Sequence, residues 1–92
     1  MKIIWTDGAT EDLEEIVLHI RKDSVDAAAR LAAHIFARVM SLSSMSKRGR
    51  QRKSDGAWVI VVAPWPYVIV YEILEDAISI EGVRHASRDS RQ

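Results

Sequence analysis

The stretch from Trp58 to Leu74 constrains the fold more than any other part of the chain. Trp58-Val59-Ile60-Val61-Val62-Ala63 and Tyr67-Val68-Ile69-Val70-Tyr71-Glu72-Ile73-Leu74 are dense in β-branched and aromatic residues, which suit a pleated surface and crowd a helix. Pro64-Trp65-Pro66 lies between them, and because proline donates nothing to a sheet ladder, neither run continues through it. Two strands separated by a short turn follow. Glu75-Asp76 makes the next turn, and from Ala77 to Val83 Ile78 and Ile80 alternate with Ser79 and Glu81. That alternation predicts a third strand in a sheet with one face toward water.

Upstream, Lys2-Ile3-Ile4-Trp5-Thr6 reads as a strand that stops at Asp7-Gly8. Ala9, Leu13, Ile16, Val17 and Ile20 then recur on one helical face, with Glu11, Asp12, Glu14 and Glu15 in the early turns, where the helix dipole favours negative charge. Thr6 or Asp7 is placed to cap this helix, and Asp23-Ser24 to cap a second one. Its apolar positions are Ala28, Leu31, Ala32, Ile35, Val39 and Leu42; reaching roughly Ser43, it would be about 30 Å long. From Ser43 to Gly56 no apolar periodicity survives, which predicts a loop. The order β-α-α-β-β-β gives an α+β domain: an N-terminal strand and a two-helix hairpin packed on one face of a mostly antiparallel sheet that ends in a three-stranded meander.

Ninety-two residues without an internal repeat make one domain, residues 1–92, small enough that a partner would add to its stability. The longest apolar run, Val59 to Trp65, is far short of the ~20 residues of a membrane helix, and the N-terminus lacks the look of a signal peptide, so the cytosol is the expected compartment. With no cysteine, disulfides, thiolate metal sites and cysteine nucleophiles are excluded. Thirteen basic and thirteen acidic residues cancel, but they are segregated along the chain. Residues 1–26 carry three basic and seven acidic groups, residues 27–53 seven basic and none acidic, and residues 54–92 three basic and six acidic. The middle block is densest at Lys47, Arg48, Arg50, Arg52 and Lys53, and Arg84, Arg88 and Arg91 gather near the C-terminus. An anionic partner is expected if the fold brings the two groups together.

No glycine-rich phosphate loop, GxSxG, HExxH or GxGxxG occurs, so no cofactor is expected. His19 and His34 have no second ligand at i+4, so no metal is assigned, and the four early carboxylates read as a solvated helix face. Two constellations carry more. Gly49-Arg50 in the basic loop is either a solvated linker or part of a patch for phosphates or an acidic segment. In Val83-Arg84-His85-Ala86-Ser87-Arg88-Asp89 a histidine stands beside two arginines. Such a set could cleave RNA without a metal, the arginines stabilising a pentacoordinate phosphate and His85 moving the proton. Arg88-Asp89 reads equally as a structural pair.

These residues carry a family resemblance over nearly the whole chain. Trp5-Thr6 precedes Ala9, Asp12, Leu13 and Ile16; Asp26-Ala27-Ala28 opens the second helix and Leu42 stands near its end. Gly49-Arg50, Pro66-Tyr67-Val68-Ile69-Val70-Tyr71, Ile80, Val83-x-His85 and Arg88-Asp89 follow in order. The chain resembles the RelE/ParE superfamily of type II toxin-antitoxin toxins, whose fold matches the order of elements above. The resemblance implies one of two activities. RelE-like members are ribosome-dependent mRNA endoribonucleases, which here would use Arg50, Arg84, His85 and Arg88; ParE-like members poison DNA gyrase.

Trp58 stands where many members have an arginine, no tyrosine follows Tyr71, and the net charge is zero, low for docking on ribosomal RNA. The ParE-like reading, without catalysis, is therefore preferred. The resemblance also implies a cognate ParD-like antitoxin that folds across the toxin in a hetero-oligomer and makes the DNA contacts itself. The surface expected to meet target or antitoxin comprises Arg48, Arg50, Arg52, Lys53, an exposed aromatic group of Trp58, Trp65 and Tyr67, and Arg84, His85 and Arg88. An inactive homologue that only binds its partner is the remaining alternative.

Overall fold

The computed structural model describes residues 1–88. The elements are β1 (Lys2–Trp5), α1 (Asp7–Arg21), α2 (Val25–Ser41), β2 (Arg50–Gln51), β3 (Trp58–Val61), β4 (Tyr67–Ile73) and β5 (Ala77–His85), with 3-10 turns at Ser46–Arg48 and Ala86–Arg88. The five strands form one sheet in the order β1-β5-β4-β3-β2.

Both helices start where an oxygen-bearing side chain meets an orphan amide. Thr6 Oγ1 accepts from the Ala9 N–H at 3.1 Å and donates to the Ile80 carbonyl at 2.9 Å, so one side chain caps α1 and ties it to β5. Ser24 Oγ accepts from the Ala27 N–H at 3.0 Å and caps α2. The apolar stripe of α2, Leu31, Ile35, Val39 and Leu42, is fully buried against Ile60, Val62, Ile69, Tyr71, Ile78 and Ile80 of the sheet. α1 contributes Ala9, with Leu13, Ile16 and Ile20 packed at the margin. Val17, expected on the same stripe, is half-buried. Burial of each large side chain in this layer stabilises the fold by about 1.5–3 kcal/mol relative to exposure.

The meander forms as expected, with β3, β4 and β5 antiparallel. β1 lies parallel to β5, from Lys2 opposite Ala77 to Trp5 opposite Ile80. The stretch 43–56 departs from a plain loop. β2 pairs with β3, Arg50 opposite Val59 and Gln51 opposite Trp58, too short for any alternation to announce it. The face turned away from the helices also differs from a plainly wet one. It carries a second small cluster, Val59, Val68 and Val70, packed with Ala57.

A bulge in β5 decides which side chains reach the helix side. Tyr71 pairs with Ile80 and Val70 with Gly82, leaving Glu81 as an extra residue. One extra residue reverses the alternation. Ile78 and Ile80 face the core before the bulge, and Val83 faces it after, with His85 opposite Tyr67 on the same side. Among the described residues no helix is long and apolar enough to cross a membrane.

Candidate functional site

Beyond Trp5 the chain leaves the sheet for α1, so the last residues of β5 lose their neighbour on that side. Asp12 of α1 replaces it. Its Oδ2 accepts from the Val83 N–H at 3.1 Å, satisfying an amide that would otherwise be left open at the sheet edge. Asp12 is thus not one of four equivalent solvated carboxylates.

Past this latch, α1 and the end of β5 enclose an open groove of about 670 Å³, lined by Asp12, Glu15, Ile16 and His19 on one side and Tyr67, Val83, Arg84, His85, Ser87 and Arg88 on the other. Arg84 alternates to the far face and bends back past Gly82. A β-carbon at 82 would lie 3.0 Å from Asp12 Oδ2 and 3.2 Å from an Arg84 guanidinium nitrogen, so glycine leaves the room both groups occupy.

His85 has a defined orientation. Its ring meets that of buried Tyr67 edge-on at 5.5 Å. The Ser87 N–H donates to His85 Nδ1 at 3.2 Å, and the Ser87 hydroxyl lies 2.8 Å from the same atom. An amide only donates, so Nδ1 accepts and the neutral ring keeps its proton on Nε2. Nδ1 of His85 is therefore occupied as an acceptor by its own turn. Arg84 and Arg88 are exposed and ion-paired to no described residue. Asp89 and Arg91, expected beside them, lie outside the described residues.

The basic loop does not join this groove. Arg50 on β2 is level with Val59, Val70 and Gly82 across the sheet. Three strand spacings, about 14 Å, separate it from β5. The four residues expected to make a ribonuclease site are thus divided, Arg84, His85 and Arg88 together and Arg50 apart.

Arg52 is not a surface cation. It is buried, and its Nε and Nη2 donate to the Asp55 carboxylate at 3.2 and 2.7 Å. The Ala57 N–H and the Arg52 guanidinium hold the Asp55 carboxyl below the ordinary carboxylate range. Gly56 turns this corner with φ of +76°, a left-handed conformation that suits glycine.

The exposed aromatic group also requires correction. Tyr67 is buried, Trp58 stacks on Tyr71 at 6.3 Å, and Trp65 meets His34 of α2 at 4.6 Å. Both tryptophans pack against the main core. Hydrophobic burial recruits them because they flank the strands that build that core.

Tyr71 and Ser87 were not among the expected site residues. Tyr71 lies inside an apolar run, where its hydroxyl gives no signal; it accepts from the Gly49 N–H at 3.0 Å and donates to the Ser46 carbonyl at 2.8 Å. Gly49 is what lets the loop approach. A β-carbon there would fall 2.5 Å from the Val59 carbonyl oxygen and 2.7 Å from the Tyr71 hydroxyl.

Comparison with known proteins matches residues 3–90 to the ParE toxin of the type II toxin-antitoxin system parDE. The chain belongs to the ParE toxin family. It is 39% identical over 85 residues to "Putative toxin Y4kP" of Sinorhizobium fredii, covering 92% of this chain and 88% of that protein. It is 33% identical over 87 residues to "Toxin RelE2" of Caulobacter vibrioides, covering 95% and 97%. A solved structure, "Chromosomal ParDE TA system from P. aeruginosa", superposes with a TM-score of 0.79 at 22% identity, over 92% of this chain and 95% of that one. That likeness extends the ParE-family assignment to the fold, a helical hairpin on one face of the sheet.

Proposed function

We propose that this ParE-family toxin arrests bacterial growth in the cytoplasm by poisoning DNA gyrase, without catalysing a reaction itself. The observation that carries the reading is the composition of the groove. Asp12 and Glu15 face Arg84 and Arg88, so its fixed charges cancel, which is a poor setting for a phosphodiester and its more negative transition state. The histidine that would serve as base already accepts through Nδ1, and Arg50 lies three strands away from β5. A protein surface of mixed charge is a better match to such a lining than a scissile RNA strand.

A ParD-like antitoxin neutralises the toxin by binding it directly. The similar P. aeruginosa chain comes from a ParDE system, and a segment that folds across the toxin adds burial to a small domain. The ribonuclease reading draws on the grouping of Arg84, His85 and Arg88 at one groove.

Two purified assays separate the readings. The toxin is expected to inhibit supercoiling by purified gyrase and to raise the yield of cleaved DNA, while leaving mRNA on purified ribosomes intact. Ribosome-dependent mRNA cleavage that His85→Ala abolishes would replace the gyrase reading with the ribonuclease one. A folded protein silent in both assays would leave a partner-binding homologue.

A further inference from the structure

We propose that Lys47, Arg48, Arg50 and Lys53 form a contact surface for the phosphate backbone of duplex DNA; the inference rests on the gyrase reading and names the partner of the toxin's basic edge. Seven cations occupy residues 27–53; the fold ties three of them to oxygen acceptors, and Arg48 Nη1 donates weakly to the Met45 sulfur at 3.9 Å. Arg30 pairs with Asp26, Arg38 Nε donates to the Val61 carbonyl at 3.2 Å, and Arg52 is bound to Asp55. The other four are exposed and ion-paired to no described residue. They sit at the β2 edge of the sheet, the end away from β1 and the groove.

This edge is ordered before any partner arrives. The Tyr71 hydroxyl holds Ser46 and Gly49, and the Arg52 N–H donates to the Ala57 carbonyl at 2.7 Å. Cations on a fixed frame lose less freedom on binding than cations on a free loop. Gly49 is extended between Arg48 and Arg50, which sets their Cα atoms about 6.6 Å apart at 3.3 Å per residue.

Two features select a duplex. Single-stranded nucleic acid is held by stacking bases on aromatic rings, and residues 43–57 contain no aromatic residue; neighbouring Trp58 is turned onto Tyr71. An amphipathic acidic peptide needs apolar pockets beside the cations, and Met45 is the one exposed large hydrophobic side chain described in that stretch. What remains is a set of exposed charges on one edge, suited to phosphates. This departs from the expectation that DNA is met only through an antitoxin.

The test is fluorescence anisotropy of the full-length chain on labelled duplex DNA of two unrelated sequences, with the salt varied. Because the whole chain has zero net charge, any binding must come from a local surface. Four neutralised phosphates predict equal affinity for both sequences and a log-log salt slope of about −3.6, which is about a hundredfold loss from 50 to 200 mM salt. Arg50→Gln should flatten the slope by about 0.9. The Lys47→Gln, Arg48→Gln, Arg50→Gln, Lys53→Gln variant, shown folded by its urea midpoint, should lose binding, and Arg84→Gln with Arg88→Gln should keep it. No binding at low salt, undiminished binding by the fourfold variant, or tighter binding of a duplex RNA, a single strand or an acidic peptide would each overturn the proposal. Gyrase inhibition without duplex binding would overturn this inference and leave the gyrase reading standing; duplex binding with gyrase untouched would overturn that reading instead.

Discussion

Tyr71 shows how much one hydroxyl can organise. It joins the turn after α2 to the centre of the sheet through two hydrogen bonds, and no side chain other than hydrogen fits at Gly49 beneath it. Tyr71→Phe should destabilise the protein by about 1–3 kcal/mol, the cost of leaving the half-buried Gly49 and Ser46 groups unmatched. Burial pushes the phenol pKa above its ordinary value, a shift partly offset by the Gly49 N–H. The folded state therefore keeps this proton at pH values where the unfolded chain has released it. Tyr71's contribution is fully present below about pH 10 and declines as pH rises through the unfolded and then the folded value. Urea midpoints from pH 9 to 11 should fall more steeply for the wild type than for Tyr71→Phe. Parallel curves would remove Tyr71 as the cause.

At the scale of elements, Thr6 is the joint between helix and sheet. Removing its hydroxyl takes away the α1 cap and the bond to Ile80 together. Thr6→Ala is expected to cost about 1–2 kcal/mol by chemical denaturation; a value near zero would mean that water replaces both contacts. Both helices and the four longer strands were legible in the sequence, because Leu31, Ile35 and Val39 repeat at helical spacing and the prolines punctuate the strands, whereas β2 was not. Their mutual arrangement was less so. That β1 lies beside β5 depends on a pairing more than 70 residues apart in sequence, to which local pattern is blind. The Glu81 bulge was also unannounced, although Gly82 is a residue type that often accompanies one. That bulge absorbs Glu81 so that Val83 and His85 stay on the core side; deleting Glu81 should leave a regular strand with both still inward and urea unfolding still cooperative, whereas loss of cooperativity would show that the fold needs the bulge itself.

Across the whole molecule, the segregated charge of the chain becomes two separate surfaces. The groove at the end of β5 mixes both signs, while the β2 edge presents four cations. Arg50 looked like a partner for His85 because both belong to motifs of the same family; strand order parts them. Residue types were readable from the sequence, and distances were not. Arg52, in the middle of a basic run, proved to be a buried tie to Asp55, since a short turn offers its guanidinium a carboxylate three residues on. The proposed target of this architecture is DNA topology rather than messenger RNA. It is tested most directly by inducing the chain alone in a bacterial host and following pulse-labelled DNA and protein synthesis in one culture. The account predicts an early fall in DNA synthesis while translation continues; an early fall in translation, relieved by His85→Ala, would contradict it.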